Sequence, residues 1–386
     1  MSLKILVGTY NLNQRSLEQD LKPWLFSLGT SSLSLSEKPD IIAIGFQEFN
    51  EYPNAFLNIN NENRIKHCEE MIEKAIYNCT KERYFRIRRS VFNGLALVIY
   101  VRDEQKFNNS ERLVNRIKSV EVEQVGVGPI WAGNKGAIAI RLIYDTISVC
   151  FVCAHLAPHS HNIEERNKNF KSIIERVIFT NKNKDEITIY DNDYVFFFGD
   201  LNYRIEIGSL TETKLMNLLN TNQYQLVIPF DQLNIEKRKG QVFDGFQEGE
   251  IEFPPTYKYH IGSTRSFNTS KKFPGWCDRI LYYSKQSNTE SIILHQYMSN
   301  NDYTTSDHKP VSALFTINYA PLTSHDNTVT KLYKFKIDKW RFVKKIVGNI
   351  AIKIFGFLWW LIGTKTGCGI LALLISILIG WYLIYW

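Results

Sequence analysis

Val195-Phe196-Phe197-Phe198-Gly199-Asp200-Leu201-Asn202-Tyr203-Arg204 decides how the chain is read. Four apolar residues in a row predict a strand buried on both faces. The run stops at Gly199, and a carboxylate follows at once. Asp200 and Asn202 sit two apart, so an extended tail turns them to the same side. An apolar strand ending in Gly-Asp-x-Asn brings an acid and an amide to the rim of a sheet. A single copy of the pattern reads equally well as a strand and an Asx turn. Here the pattern recurs.

Working outward, Ile5 to Tyr10 predicts a strand ending at Asn11, and Asp40 to Phe46 one ending at Gln47-Glu48. Gly94 to Val101 predicts a third strand. Ala137 to Leu142 and Thr146 to Ala154 predict a hairpin ending at His155. Cys277 to Tyr283 and Val311 to Ile317 close the series, the last just after Asp307-His308. Helices are expected over about 62–79, 163–180 and 211–221, and Lys237 to Phe253 as a surface loop. Strands with intervening helices predict a mixed two-layer or sandwich α/β domain.

The polar residues at the strand ends are Asn11, Glu48, His155, Asp200, Asn202, Asp307 and His308. Their oxygens suit a hard cation such as Mg²⁺, held by one or two carboxylates. Such an ion polarises a phosphoryl oxygen. A second set is basic and aromatic: Asn134-Lys135-Gly136, Pro254-Pro255-Thr256-Tyr257-Lys258-Tyr259, Lys271-Lys272 and Trp276-Cys277-Asp278-Arg279. Lys and Arg are the natural partners of phosphates that are not being cleaved.

Composition narrows the classes. The chain has 386 residues, with 46 Lys and Arg against 39 Asp and Glu. Residues 331–386 hold nine basic residues and one acid, leaving 37 basic against 38 acidic residues in 1–330. A near-neutral body disfavours a nuclease, which wants a basic face. The six cysteines include one CxxC, Cys150 and Cys153, inside an apolar run with no second pair of zinc ligands nearby. Buried free thiols in a reducing compartment are the expectation.

Gly199-Asp200-Leu201-Asn202-Tyr203-Arg204-Ile205, Pro255-Thr256-Tyr257-Lys258, Trp276-Cys277-Asp278-Arg279-Ile280-Leu281 and Ser306-Asp307-His308-Lys309-Pro310-Val311 resemble the motifs of the inositol polyphosphate 5-phosphatase family. Phe46-Gln47-Glu48, Asn134-Lys135-Gly136 and Ala154-His155-Leu156 fit in the same order, and the resemblance covers about residues 3–318. It implies the endonuclease/exonuclease/phosphatase superfold, a four-layer α/β sandwich with the site at one edge of paired sheets. It implies Glu48, helped by Asn11, as Mg²⁺ ligands. Asp200 would activate the attacking water, and Asn202 would hold that water or the scissile phosphate. His155 and His308 would contact the phosphate. Asp278 would orient His308, and Asp307 would support the network. Lys135, Tyr257, Lys258, Arg279, Lys271 and Lys272 would lie near the head group. The chain departs from the family pattern at Tyr10, Asn169, Ser270 and Gly275. The implied function is a Mg²⁺-dependent phosphatidylinositol 4,5-bisphosphate 5-phosphatase. The rivals are a neutral sphingomyelinase-like phosphodiesterase of the same superfold and a catalytically dead lipid-binding module. Loops at Phe56-Leu57 and Pro129-Ile130-Trp131 are expected to touch lipid.

The tail adds the membrane. A catalytic domain over 1–318, a basic linker over 319–345 and a hydrophobic anchor over 346–386 are expected. Cys368 to Trp386 holds 19 residues without a charge, about 28 Å of helix against a hydrocarbon core of about 30 Å. Ile346 to Gly363 carries Lys353 near its middle and is expected to lie in the interface, with a two-span hairpin as the alternative. Basic flanks keep the body in the cytosol, and the short span suits the endoplasmic reticulum membrane. A phosphoinositide lipid is the expected partner, nucleic acid is not, and the chain is expected to be a monomer.

Overall fold

The structure, a computed structural model, describes residues 1–26, 38–103, 113–133, 135–180, 183–206, 208, 211–269, 273–285, 291–319 and 336–385, with side chains to 378 in the last helix. Fourteen strands are described: β1 (Ser2–Asn11), β2 (Ile41–Gln47), β3 (Tyr84–Phe92), β4 (Leu95–Arg102), β5 (Ile117–Gly126), β6 (Gly136–Tyr144), β7 (Ile147–His155), β8 (Phe179–Thr180), β9 (Glu186–Ile187), β10 (Tyr194–Asp200), β11 (Gln247–Glu248), β12 (Asp278–Ser284), β13 (Ile292–Ser299) and β14 (Val311–Asn318). The helices are α1 (Lys22–Leu25), α2 (Asn54–Leu57), α3 (Asn61–Thr80), α4 (Ile163–Arg176), α5 (Glu212–Asn220), α6 (Gln232–Arg238), α7 (Arg341–Gly363) and α8 (Lys365–Tyr385).

Two six-stranded sheets result, in the orders β13-β14-β1-β2-β4-β3 and β11-β12-β10-β7-β6-β5. Their strands alternate, and both faces are apolar. Ile41 and Ala43 of β2 meet Phe151, Phe196 and Phe198 of the second sheet in the central core. Ile42 and Ile44, one residue out of phase, pack under α3 on Ile65, Ile72 and Ile76. Val195 and Phe197 of β10 likewise turn outward to Phe170 and Ile173 of α4. The triple phenylalanine is thus a period-2 strand apolar on both sides, as a strand in the middle of four layers must be. The sheets approach closely at Gly45, where an added Cβ would lie 2.6 Å from Cys153 Sγ.

Strand direction gathers the site. β1 runs parallel to β2, and β7 parallel to β10, so their C-terminal ends share one edge. β12 and β14 run antiparallel to these neighbours and therefore begin at that same edge. In register, Asp200 stands between His155 and Asp278.

Several expectations shift. The segment 237–253 is not surface loop: it holds β11 and the end of α6, and Val242, Phe243, Phe246, Ile251 and Phe253 are buried. The second expected helix ends at Arg176, and Phe179 starts a short ribbon. β3, β5 and β13 add strands the apolar pattern did not announce, because they lie at or near sheet edges and are only half-buried. All six cysteines are free, and the four at 68, 150, 153 and 277 are buried.

At the C-terminus, α7 begins at Arg341, inside the stretch expected as linker, and Thr364 separates it from α8. Most of the linker, 320–335, lies outside the described residues. By length and composition α7 could cross a membrane. It nonetheless packs on the catalytic body. Ile352 is buried with Ala55 and Phe56, and Phe56 lies 6.2 Å from the Phe355 ring and 6.3 Å from that of Trp359. Phe56, expected to face lipid, is therefore covered by the chain's own helix, whereas Ile130 remains 65% exposed.

Candidate active site

Asp200 is the centre. Its carboxylate is 1% exposed and is reached from both sheets. Asn11, ending β1, donates its amide to Asp200 Oδ2 at 2.9 Å. His155, ending β7, brings Nε2 to 3.2 Å of the same oxygen, and His308 Nε2 stands 3.9 Å away. The other oxygen, Oδ1, accepts the Asn202 backbone N–H at 3.0 Å. This is the Asx turn that the sequence allowed, and it coexists with the site instead of replacing it. Gly199 is required before it: at φ +140 a Cβ would fall 1.9 Å from the Ala154 carbonyl oxygen. Asn202 itself is left-handed, at φ +58.

His308 is held from behind. Its Nδ1–H donates to Asp278 Oδ2 at 2.9 Å, and that oxygen also accepts from Thr256 Oγ1 at 2.7 Å. The Tyr257 ring lies 4.4 Å from the imidazole, and the Arg204 guanidinium stacks on the other part of that tyrosine at 4.1 Å. Arg204 also donates to Asn202 Oδ1 and to Cys277 Sγ. It thereby fixes Asn202, a positioning role that the sequence offered only as the residue after Asn202-Tyr203.

The charges follow from these contacts. Burial alone would raise the Asp200 pKa, but His308 and His155, with Arg204 behind them, hold the carboxyl far below the usual range. Burial alone would lower His308, yet the carboxylates of Asp278 and Asp200 raise it to about 9. His308 is thus an imidazolium at neutral pH. His155 goes the other way: burial and then Lys135 lower it, so it is neutral. Lys135 Nζ lies 2.7 Å from His155 Nε2, the atom that also faces Asp200. One ring nitrogen cannot serve both partners fully, so an incoming anion that took the ammonium would free it to donate to Asp200.

The remaining expected residues fall into two groups. Glu48 follows β2 in a left-handed conformation, φ +48, and its Oε1 stands 3.9 Å from His155 Nε2. Lys258 Nζ lies 3.6 Å from Asp307 Oδ2, and its neighbour Tyr257 packs on the His308 ring. Arg279 does not join them. It is fully buried, with Nε and Nη2 on the two Glu248 oxygens at 2.6 and 2.7 Å and Nη1 on Asp231 at 2.9 Å. Its five donors face inward from the start of β12, so it cannot reach a head group; its sequence neighbour Asp278 points to the site and it points away. Lys271 and Lys272, with Ser270 and Asn134, lie outside the described residues.

Residues 8–314 match the endonuclease/exonuclease/phosphatase family 2. The type I inositol polyphosphate 5-phosphatase 8 of Arabidopsis thaliana is 30% identical over 380 residues, covering 86% of this chain and 74% of the plant protein. This chain belongs to the inositol polyphosphate 5-phosphatase family. The type II inositol 1,4,5-trisphosphate 5-phosphatase of Mus musculus is 36% identical over 321 residues, 82% of this chain, but the match spans only 30% of the mouse protein. Among solved structures, the inositol polyphosphate 5-phosphatase domain of a synaptojanin, in complex with inositol (1,4)-bisphosphate and a calcium ion, superposes with a TM-score of 0.69 at 29% identity, covering 91% of this chain and 90% of that one. A Cimex nitrophorin shares the fold alone, with a TM-score of 0.60 at 20% identity over 82% of this chain and 99% of its own.

The site's donors fit a hard divalent cation of the kind a 5-phosphatase domain uses. The Glu48 carboxylate is 22% exposed and accepts no hydrogen bond among the described residues. The Asn11 amide oxygen beside it accepts only the Asn13 N–H, at 2.9 Å. Asp278 Oδ1 is buried with no hydrogen-bond partner, and Asp200, Asp278 and His308 bring their ligand atoms within 4.8 Å of one another. The oxygens of Glu48 and Asn11 suit Mg²⁺ or Ca²⁺ and not zinc, and His308, as an imidazolium, offers no lone pair to a cation. Two members of the site carried little sequence signal. Thr256 was visible only as the residue before Tyr257, and Ser306, whose hydroxyl donates to the Asn11 carbonyl at 2.7 Å, only as the one before Asp307.

Proposed function

We propose that the chain is a Mg²⁺-dependent hydrolase that removes the 5-phosphate from phosphoinositides and inositol phosphates, with phosphatidylinositol 4,5-bisphosphate as its membrane substrate. The observation that carries this reading is the buried Asp200 anion, ringed by Asn11, His155 and His308 from both sheets. Glu48 and Asn11 would hold the cation, which when bound neutralises charge on the phosphoryl oxygens.

The chain's own groups do the rest. A carboxylate as acidic as Asp200 is a weak base, so its first task is to orient the water that attacks phosphorus. A loose phosphoryl transition state asks for little base strength, and the water's proton passes to Asp200 late. The phosphorus–O5 bond breaks, the water oxygen stays on phosphorus as inorganic phosphate, and O5 leaves as the inositol hydroxyl with the proton that Asp200 took, returned through solvent. The His308 imidazolium faces the phosphoryl oxygens, where charge accumulates, and Asp278 and Thr256 keep its ring in place. Asn202 is fixed by Arg204 to hold the water or the reacting phosphate. Lys135 would meet the scissile phosphate, and Lys258 a neighbouring one. Asp307 tethers Lys258. The intact catalytic groups weigh against a dead module. The Thr256-Tyr257-Lys258 and Trp276-Cys277-Asp278 segments, built into the site, weigh against a sphingomyelinase.

We infer membrane attachment through the C-terminal helices, with the catalytic body on the cytosolic side, as the basic residues before α7 support. The α8 helix, Lys365–Tyr385, is the segment proposed to insert, in a thin bilayer such as that of the endoplasmic reticulum.

The test is phosphate release from a panel of short-chain phosphoinositides, with Mg²⁺ titrated back after EDTA. Asp200→Asn keeps the shape and removes the charge. Turnover should fall by about 10²–10⁴-fold, with thermal stability little changed. Near-normal turnover in Asp200→Asn, or full activity in excess EDTA, refutes the metal-phosphatase reading.

A further inference from the structure

The α7 helix is not a free tether. Its inner face carries Gly348, Ile352 and Gly356, each buried. At Gly348 a Cβ would lie 2.1 Å from the Trp131 carbonyl oxygen, and at Gly356 one would lie 2.8 Å from Phe56 Cβ. The helix backbone therefore rests directly on two loops, Tyr52–Leu57 and Pro129–Ala132. Lys345 pairs with Glu123 at 2.8 Å, the Lys344 ammonium lies 5.4 Å over the Trp131 ring, and Tyr52 stacks on Trp359 at 6.1 Å. Both loops belong to the active-site rim. Tyr52 follows Glu48 by four residues, and Lys135 follows Trp131 by four.

The outer face of α7 is of the opposite character. Ile346, Ile350, Ile354 and Phe357 recur at helical spacing and are 60, 54, 57 and 51% exposed. Nothing among the described residues covers them. Lys353 stands at the margin of this face, where a long side chain can reach water.

A helix docked in this way cannot be a span. Ile352 lies at the midpoint of α7 and packs on the turn that also presents the exposed residues Glu51, Asn58 and Asn60. Were α7 to cross the bilayer, that turn would sit in hydrocarbon with its polar groups unpaired. The contact from Gly348 to Trp359 runs about 16 Å along the helix, which leaves only the opposite face for lipid.

We propose that α7 lies in the membrane interface with its outer face in lipid and its inner face on the rim loops, so that the active site is held at a fixed attitude toward the bilayer in which the chain itself sits. This rests on the attachment and activity proposed above. An apolar helical stripe of this width beside α8, which carries no charge after Lys365, is the surface of an interfacial helix. A rigid mount presents the site to substrate in the same bilayer, and gains from orientation as well as proximity.

Two measurements on the full chain in vesicles of phosphatidylcholine with phosphatidylinositol 4,5-bisphosphate test it. The first places a nitroxide at Ile350→Cys or Ile354→Cys in a background lacking the exposed Cys368. Relaxation by oxygen with protection from a water-soluble nickel chelate is expected. Accessibility to nickel, or protection from both reagents as in a contact with a second copy, overturns the proposal. The second is Gly348→Ala/Gly356→Ala, which adds methyl groups only where the backbone rests on the loops and raises helix propensity. Hydrolysis of lipid in the chain's own vesicle should fall by about tenfold, and that of soluble inositol 1,4,5-trisphosphate by less than about twofold. Unchanged lipid hydrolysis overturns the proposal. So does an equal loss on both substrates, since the helix would then prop the site and not aim it. Release of the wild-type chain by alkaline carbonate overturns the attachment itself, and inactivity of the wild type on both substrates overturns the activity.

Discussion

Asp278→Asn separates charge from shape at His308. The asparagine oxygen can still accept from His308 Nδ1 and Thr256 Oγ1, which now meet Asp278 Oδ2 at 2.9 and 2.7 Å. What disappears is the charge, the largest influence raising the imidazole to about 9 against the depression from burial. From 6.5 to about 9 the shift is worth about 3 kcal/mol. Asp200 retains part of it, so a fall of roughly two units is expected. At pH 8 the imidazolium fraction then drops from about nine-tenths to about one-tenth, a loss of about tenfold in kcat/KM, with almost none at pH 6. The assay is phosphate release from soluble inositol 1,4,5-trisphosphate between pH 5.5 and 9.5. The sign for stability runs the same way. A histidine raised in the folded state contributes stability that is whole below about 6.5 and is lost as pH rises through about 9. The variant should therefore lose thermal stability at pH 6 and little at pH 10. The amide nitrogen, taking the place of the unpartnered Oδ1, adds a small pH-independent loss. An alkaline limb at the same pH in both proteins, or equal losses of kcat/KM at pH 6 and pH 8, would refute the electrostatic role.

Arg279→Ala leaves Asp231 and Glu248 buried without their cation, so it should cost about 3–5 kcal/mol of stability; a normal denaturation midpoint with a raised KM would return Arg279 to the head group. Lys258→Ala should weaken catalysis on substrates bearing a 4-phosphate by about 1.5–3 kcal/mol, the worth of a charge-assisted hydrogen bond. Measuring kcat/KM on lipids with and without that phosphate checks this, and equal losses on both would make Lys258 a partner of Asp307 only.

How much of this was legible depended on where each residue sits in its strand. A layered α/β domain was readable because β2, β7 and β10 are apolar on both faces, as strands with a layer on each side must be, whereas the count of four layers came from the family resemblance. The edge strands β3 and β5 were not, since half-buried strands mix charge with apolar residues and resemble loops. Within the site, Asn11, Glu48, His155 and Asp200 stand where an apolar run stops and His308 just before one starts, and the structure brings them to one edge because the strands that end there and those that begin there run in opposite directions. Arg279 turns inward while its neighbour Asp278 faces His308, because neighbours on a strand face opposite ways, and sequence alone does not say which of the two looks out. The acid that claims Arg279, Glu248, lies in the stretch read as surface loop, so its demand for a partner was invisible.

The tail shows the limit most sharply. Hydropathy and length describe a helix averaged around its axis, and by those measures α7 passes for a span. What decides its place is the difference between its faces. Glycines at 348 and 356 carry no side chain to announce a contact, yet they let the backbone settle on Trp131 and Phe56. The opposite face repeats large apolar residues that nothing among the described residues covers. A span is apolar to lipid all round; α7 is divided between protein and solvent. The two rim loops were expected to meet lipid directly, and the structure covers Phe56 with a helix of the chain's own while leaving Ile130 open. If that helix lies in the interface, the catalytic rim and the bilayer are coupled through Gly348, Ile352 and Gly356, and small substitutions there should alter lipid hydrolysis without touching a single group that contacts phosphate.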